Sequence, residues 1–154
     1  MTVYIGYRWY DKVAIQVNYP FGFGMSYTSF QTDDLKVQLH VDHVQASIKL
    51  TNTGDVKGAE VLQVYISPEH PSIPRPVKEL KDFEKIELEP SQQREVTFCI
   101  PVKYACSFFD ERTDKWLCEA GAYRLILSNS SDLQNCQHHQ ALFEVPRSFW
   151  WQGA

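Results

Sequence analysis

Apolar and polar residues alternate in segment 35–50, which is Leu-Lys-Val-Gln-Leu-His-Val-Asp-His-Val-Gln-Ala-Ser-Ile-Lys-Leu. In Leu35–Val41, and again in Val44–Leu50, every second side chain is apolar. Because successive side chains of a strand point to opposite faces, each half predicts a strand with one apolar face. A parallel sheet is buried on both faces, so this pattern favours antiparallel pairing around the polar residues Asp42 and His43.

The same pattern recurs along the rest of the chain. Further alternating segments are Leu62–Ile66, Val96–Ile100, Tyr123–Leu127 and Ala141–Val145. Turn-forming residues separate the strands, in segments 51–55, 89–91, 110–115 and 128–132. Segment 67–76 has four prolines, which exclude it from a central strand and predict a stiff loop. No segment shows helical periodicity, so we predict an all-β, antiparallel two-sheet sandwich.

Length and composition limit the class of protein. The chain has 154 residues, 44% of them hydrophobic and 22% charged, and a net charge of -4. This length is typical of one domain. The acidic balance argues against nucleic acid as a partner, since proteins that bind it usually carry a basic surface. No apolar run approaches the roughly 18 residues of a membrane span, so a membrane is not an expected partner either.

The start of the chain and its cysteines bear on localisation. Met1 is followed by neither a basic segment nor a long apolar one, so no secretory signal peptide is predicted. The cysteines lack the paired spacing of a zinc site; they are Cys99, Cys106, Cys118 and Cys136. This pattern favours reduced thiols and a cytoplasmic location, and it leaves disulfide pairing and secretion open. It predicts no metal and no cofactor.

Residues that could carry catalysis do not form a recognisable constellation. Residues 22–24, Gly-Phe-Gly, lack the third glycine and the following helix of a dinucleotide-binding loop. His138 and His139 would point to opposite faces of a strand, so they could not bind one metal ion. The acids of segment 110–115 have polar neighbours, which would not separate the pKa values of an acid and a base. The chain by itself is therefore predicted to be non-catalytic.

Several segments match the sequence motifs of a known family. Val3–Asp11 is similar to V-G-Y-R-Y-Y-D/E, and Tyr19–Phe30 to F-P-F-G-x-G-L-S-Y-T-T-F. Asn52–Tyr65 matches N-T-G-x-x-x-G-x-E-V-x-Q-x-Y, and Arg75–Phe83 matches R-P-x-K-E-L-K-G-F with one Asp in place of Gly. In this order, the motifs resemble the C-terminal end of glycoside hydrolase family 3 β-glucosidases. The ending Ser148–Gly153 is similar to the tail of fungal members.

The resemblance implies an immunoglobulin- or fibronectin type III-like sandwich at 31–147. An irregular, aromatic-rich exit segment of an α/β-sandwich domain would precede it at 1–30, and a C-terminal tail would follow at 148–154. Family members hydrolyse terminal β-D-glucosyl groups with an Asp nucleophile and a Glu acid/base, held about 5–5.5 Å apart in retaining enzymes. The motifs that carry this Asp and this Glu belong to upstream domains in the family, and neither motif is found in this sequence. The resemblance implies a non-catalytic structural module whose partners are those catalytic domains, with β-glucoside bound only by the intact enzyme.

Aromatic residues crowd segment 1–30 without a regular period. Such a segment fits a surface docked on another domain, because each large apolar side chain left in water forgoes roughly 1.5–3 kcal/mol. The candidate domain-docking residues are Tyr7, Trp9, Phe21, Phe23 and Tyr27. Alternatively, these rings complete the core of the sandwich, where Trp116 and Tyr123 are also expected. Lys78 and Glu79 either contact another domain or form a solvated pair.

A second candidate function, of another class, is a stand-alone sandwich that binds carbohydrate or protein. Sugar-binding surfaces need exposed, coplanar aromatic rings beside polar groups, because a ring face supplies the apolar contact. Outside segment 1–30, the candidates for such a surface are Tyr65, Trp150 and Trp151. The exposure and mutual orientation of these three rings distinguish the two functions.

Overall fold

The computed structural model describes residues 4–16, 27–134 and 136–153. Within these ranges the chain forms ten strands and two short helices. The strands are β1 (Phe30–Leu39), β2 (His43–Asn52), β3 (Gly58–Pro68), β4 (Glu79–Leu88), β5 (Gln93–Pro101), β6 (Ser107–Asp110), β7 (Lys115–Cys118), β8 (Gly121–Ser128), β9 (His138–Val145) and β10 (Phe149–Trp151). The helices are α1 (Tyr7–Val13) and α2 (Val102–Cys106).

Two antiparallel sheets, ordered β1-β2-β5 and β4-β3-β8-β9, enclose the core, which confirms the predicted two-sheet sandwich. In the first hairpin, Leu39 pairs with Val44, and the His40 N–H donates to the His43 carbonyl oxygen at 2.8 Å. Strand β1 thus ends two residues earlier than the alternation predicts, at Leu39 rather than Val41. Val41 consequently lies fully exposed in the turn rather than on the strand.

The core lies between the apolar faces of the two sheets. On β2, every second side chain from Val44 to Leu50 is at most 1% exposed, as the alternation predicts. Tyr123 is confirmed as a core residue, with its ring stacked on Phe143 at 5.7 Å between centroids. The prediction for Trp116 is wrong, because it lies outside the two main sheets on β7 and is 37% exposed.

A third, smaller sheet is ordered β10-β7-β6. Its hairpin forms around the charged turn predicted at 110–115, with Asp110 paired to Lys115. Strand β10 adds to the other side of β7, so the tail packs on this hairpin. The two helices were not predicted, because seven residues in α1 and five in α2 are too few to display a helical period.

The proline-rich segment forms a loop between Pro68, where β3 ends, and Glu79, where β4 begins. The Arg75 guanidinium of this loop lies 5.1 Å from the centre of the Phe108 ring and donates to the Cys106 carbonyl oxygen at 3.2 Å. The loop is thereby tied to the small sheet. Neither helix of the described ranges is long and apolar enough to cross a membrane.

Candidate domain-docking site

Strand β3 is buried on both of its faces. The five consecutive residues Leu62–Ile66 are all buried, although alternation directs Gln63 and Tyr65 away from the core. The outer face of the four-stranded sheet is therefore covered at its centre. Part of this cover is α1, whose Tyr7 ring meets the Tyr65 ring edge-on at 5.8 Å between centroids.

An ion pair fixes α1 on this face. The Lys78 ammonium lies 2.5 Å from the Asp11 carboxylate, and the two side chains are 5% and 19% exposed. The same ammonium lies 5.9 Å from the Tyr7 ring centre and 5.6 Å from the Tyr65 ring centre, within the range of cation–π attraction. The Tyr7 hydroxyl also accepts a hydrogen bond from the Leu80 N–H at 2.8 Å. These contacts join α1 to β3, to β4 and to the end of the proline-rich loop.

Helix α1 directs polar groups toward the sheet and apolar side chains outward, the reverse of a normal surface helix in a globular protein. Tyr7 and Asp11 are one turn apart and face the sheet with a hydroxyl and a carboxylate. The apolar residues Trp9, Tyr10 and Val13 are 47%, 43% and 37% exposed. A surface helix normally buries its apolar stripe and exposes its charges. The arrangement in α1 leaves an apolar face directed away from the sandwich.

The ends of α1 contribute little to its stability. No side chain caps its N-terminus, and Ala14 closes the C-terminus in the left-handed region at φ 54°. A non-glycine residue there costs roughly 1–2 kcal/mol. Isolated helices shorter than about 12 residues are marginal in water. The Lys78 and Tyr65 contacts therefore hold this seven-residue helix in place.

Burial and neighbouring charges shift the pKa values of ionisable groups around α1. Burial alone would raise the pKa of Glu79, but attraction and a hydrogen bond from Lys81, with Arg75 and Arg8 beyond, lower it on balance. Burial raises the pKa of Tyr65 far above its usual value. This neutral phenol donates to the Gln63 side-chain oxygen at 2.5 Å. These polar groups of the covered face thus find their hydrogen-bond and ion-pair partners within the chain.

The structure places the candidate docking residues differently from one another. Tyr7 lies against the sandwich of the same chain, while Trp9 is exposed and Tyr27 is 101% exposed. Phe21 and Phe23 lie outside the described residues. The described members do not form one continuous ring cluster. Tyr7 contacts Tyr65 on the outer face of β3, outside the core cluster, so the docking role of these residues stays a prediction.

Two participants in this site were missed or left open by the sequence. Lys78 was predicted either to contact another domain or to form a solvated pair, and it is buried against Asp11 of segment 1–30, the segment predicted to leave the preceding domain. Asp11 was not singled out. The signal that could have found it is its spacing of four residues from Tyr7, which puts both on one face of a helical turn.

The aromatic rings of the small sheet do not form a flat sugar-binding surface. Trp116 and Trp151 stack on each other at 5.6 Å between centroids, and the edge of Tyr104 meets Trp151 at 5.5 Å. The Trp151 indole N–H donates to the Ser107 hydroxyl at 2.9 Å. Tyr65 is fully buried and cannot reach a sugar. Of the three candidates, only Trp150 is well exposed.

Residues considered for catalysis or metal binding have structural partners. Asp110 accepts hydrogen bonds from the Arg112 N–H and the Thr113 hydroxyl within its turn, both at 3.1 Å. The His139 ring lies 2.9 Å from the Thr32 carbonyl oxygen, while His138 contacts a backbone oxygen elsewhere. Among the residues that the structure describes, no three His, Cys, Asp or Glu side chains are grouped to hold a metal ion.

Comparison with known proteins gives the relatives to which this sandwich is similar. The family model of the fibronectin type III-like domain matches residues 60–131. A β-glucosidase of Kluyveromyces marxianus is 39% identical over 153 residues, which is 98% of this chain and 18% of that protein. A β-glucosidase of Bacteroides ovatus is 41% identical over 137 residues, which is 86% of this chain and 18% of the relative.

Solved structures agree with the sequence matches. The Kluyveromyces marxianus β-glucosidase in complex with glucose superposes with a TM-score of 0.92 over 98% of this chain and 18% of that one. β-Glucosidase 3B of Thermotoga neapolitana, 34% identical, gives a TM-score of 0.89 over 97% of this chain and 20% of that one. The chain thus has the fold of a fibronectin type III-like sandwich, and it spans about a fifth of the length of the bacterial and fungal β-glucosidases it matches.

Proposed function

We propose that this chain is the C-terminal fibronectin type III-like module of a fungal glycoside hydrolase family 3 β-glucosidase and that it supports the catalytic domains without taking part in catalysis. One observation carries the proposal. Nearly the whole chain, including segment 4–16 and the tail, aligns with a segment that makes up about a fifth of known β-glucosidases. The activity of the intact enzyme would be hydrolysis of terminal β-D-glucosyl groups.

The outward face of α1 supports a docking role. Trp9, Tyr10 and Val13 form an apolar stripe, and Ile5 and Ile15 extend exposed apolar surface at the two ends of the helix. The occupant we assign to this stripe is the remainder of the same polypeptide, because the relatives have about four-fifths of their length outside the matched segment. The ion pair below the helix would fix the angle at which the stripe is presented.

The division of the chain follows from this proposal. Segment 1–30 would be the exit from the preceding domain, segment 31–147 the sandwich, and segment 148–154 the tail. The start of β1 at Phe30 and the end of β9 at Val145 support these boundaries. The pairing of β10 with β7 indicates that the tail belongs physically to the sandwich.

The chemistry of the described acids supports a non-catalytic role. A retaining glycosidase needs a nucleophile and an acid/base about 5–5.5 Å apart beside a sugar-sized cleft. Asp11 and Glu79 are each engaged by a lysine, and Asp110 is engaged within its own turn. Substrate would therefore meet its catalytic carboxylates in the domains upstream.

The first test is activity of the purified chain on an aryl β-glucoside. We expect no turnover above that of a buffer control. Turnover that disappears when Asp11, Glu79 or Asp110 is replaced by its amide would overturn the proposal.

The second test asks whether the chain supports a catalytic body. In a chimera, this chain would replace the matching segment of the Kluyveromyces marxianus β-glucosidase. The chimera would then be compared with its Trp9→Ser/Tyr10→Ser variant. We expect the variant chimera to inactivate at a temperature several degrees lower, because two large side chains would each lose roughly 1.5–3 kcal/mol of burial. The isolated chain with the same substitutions should unfold as before. Equal inactivation temperatures for the two chimeras would contradict docking through this face.

A further inference from the structure

Two cysteines lie side by side beneath the small sheet. Cys106 is the last residue of α2, and Cys118 is the last residue of β7. Ser107, which follows Cys106, is the partner of Cys118 in the β6–β7 register. Both cysteines are 0% exposed and belong to the same core cluster, and each is the largest influence on the pKa of the other. The folded chain therefore holds two free thiols within reach of one another, away from solvent.

The surroundings distinguish the two sulfurs. The hydrogen bond from Cys106, with a second from the Ser107 hydroxyl and the positive charge of Arg75, lowers the pKa of Cys118 although burial opposes this. The same interaction with Cys118, together with burial, raises the pKa of Cys106. Cys118 is thus the sulfur that ionises first, and a thiolate is the attacking species in disulfide exchange.

The other two cysteines lie in different surroundings. Cys99 is exposed on β5, where it pairs in register with Gln45. The Cys136 thiol is half-buried and directed to the Ser130 carbonyl oxygen at 3.9 Å. They serve as internal references, because general oxidation of thiols would affect the exposed Cys99 before the buried pair.

We propose that Cys106 and Cys118 are an oxidation site that closes an intrachain disulfide by exchange with a small-molecule disulfide such as oxidised glutathione. The Cys118 thiolate attacks one glutathione sulfur, and the glutathione S–S bond breaks to release one glutathione thiol. Cys106 then loses its proton and attacks the Cys118 sulfur of the mixed disulfide, releasing the second glutathione thiol. The two cysteines are oxidised by two electrons in total, and glutathione disulfide is reduced by the same two.

The bond would close the base of the β6–β7 hairpin, where this hairpin leaves the main sandwich. It would close the loop 106–118, which contains the whole β6–β7 hairpin and the Trp116 ring that stacks on Trp151. A cross-link of this kind stabilises mainly by restricting the unfolded chain. Because both sulfurs are buried, exchange would need local opening of the hairpin or would occur during folding, and the closed disulfide would resist reductants in the native state.

The test uses the full 154-residue chain. It would be refolded in parallel with oxidised plus reduced glutathione and with dithiothreitol, denatured, alkylated and mapped by peptide mass spectrometry. In the glutathione sample we expect a peptide pair linked through Cys106 and Cys118 and lighter by two hydrogen atoms, with Cys99 and Cys136 alkylated. We also expect thermal unfolding several degrees higher than in the reduced sample.

Variants separate this site from general oxidation. The Cys99→Ser/Cys136→Ser variant should keep the full difference in Tm between oxidised and reduced samples, and Cys118→Ser should abolish it. Alkylation of both Cys106 and Cys118 after oxidative refolding would overturn the proposal. Linkage of either residue to Cys99 or Cys136, or an oxidised chain that unfolds at a lower temperature, would do the same. The wild-type map decides the matter even if Cys118→Ser does not fold.

Discussion

At the scale of single residues, the contact between Lys78 and Asp11 links segment 1–30 to the sandwich. Replacing Lys78 with Met would leave the Asp11 carboxylate largely desolvated and without its counter-ion. Removing one partner of a fully buried pair costs about 3–5 kcal/mol, and the residual exposure of Asp11 puts the expected loss below that range, at about 2–3 kcal/mol. Urea unfolding followed by far-ultraviolet circular dichroism would measure it.

A matched control for that substitution is Lys49→Met. It breaks the ion pair with Asp34, whose two side chains are 41% and 53% exposed. Exposed pairs contribute little to stability because water and salt screen them, so this variant should be nearly neutral. The double variant Lys78→Met/Asp11→Asn should recover part of the loss, since no charge is left unpaired. Similar costs for Lys78→Met and Lys49→Met would refute a buried ion pair.

Two buried glutamates should respond to pH in opposite directions. The pKa of Glu79 is lowered on balance, because Lys81 outweighs burial, so its contribution is present above the unfolded pKa and is lost as pH falls through the folded value. The pKa of Glu60 is raised by burial. Its contribution is therefore present below the unfolded pKa and is lost as pH rises through the raised value.

Amide substitutions at these glutamates make the difference measurable. We expect Glu79→Gln to destabilise the chain near pH 7 and to matter less as the pH falls toward 3, because the wild-type carboxyl then also takes up a proton. We expect Glu60→Gln to stabilise it near pH 7 relative to its effect near pH 3. Urea unfolding at both pH values gives the four differences. A Glu60→Gln variant more destabilising near pH 7 than near pH 3, or a Glu79→Gln variant less destabilising near pH 7 than near pH 3, would contradict these environments.

Single residues also show where the alternation of apolar and polar residues no longer predicts burial. Alternation predicted which side chains of β2 face the core, because the buried and exposed faces there differ in polarity. It could not predict that Gln63 and Tyr65 are buried on the opposite face of β3. Part of the cover of Tyr65 is Tyr7 of α1, about sixty positions away in sequence, and a local pattern carries no information on such a contact.

At the scale of elements, the small sheet depends on its terminal strand. Trp151→Ala would remove the stack on Trp116, the edge contact with Tyr104 and the hydrogen bond to Ser107. Because Trp151 is only partly buried, we expect a loss of about 2 kcal/mol, less than for a core tryptophan. The near-ultraviolet circular dichroism signal of the stacked indoles should fall as well.

Trp150→Ala is the control within the same strand, because Trp150 points to the other side of the small sheet and is well exposed. Surface substitutions of this kind stay within about 0.5 kcal/mol. Greater destabilisation by Trp150→Ala than by Trp151→Ala would mean that the rings of β10 are oriented differently.

An element was easier to predict when it was long and when its two faces had different surroundings. The long strands β1 and β2 have two unlike faces, so their pattern is strong. Helix α1 has seven residues and exposes its apolar side, so a search for a buried apolar stripe misses it. The hairpin β6–β7 was predicted as a turn because its strands have four residues each.

At the scale of the whole molecule, the resemblance to β-glucosidases drawn from motifs agrees with matches that extend over 98% of the chain. The position of the proposed docking surface was harder to predict from the sequence. An apolar residue at a domain interface and one in the core have the same composition, and only the fold separates Tyr7, which is covered, from Trp9, which is exposed.

This difference between covered and exposed faces leads to a prediction about dynamics. In the isolated chain, α1 has weak ends and an uncovered apolar stripe, so its amides at Trp9–Val13 should exchange with deuterium faster than those of β2. In the chimera with the Kluyveromyces marxianus β-glucosidase, burial of Trp9 and Tyr10 should slow that exchange by at least about tenfold, because each ring buried contributes roughly 1.5–3 kcal/mol. Hydrogen–deuterium exchange mass spectrometry of both proteins measures the ratio, with β2 peptides as the internal control. Unchanged exchange of α1 in the chimera, with β2 also unchanged, would mean that the catalytic body binds elsewhere.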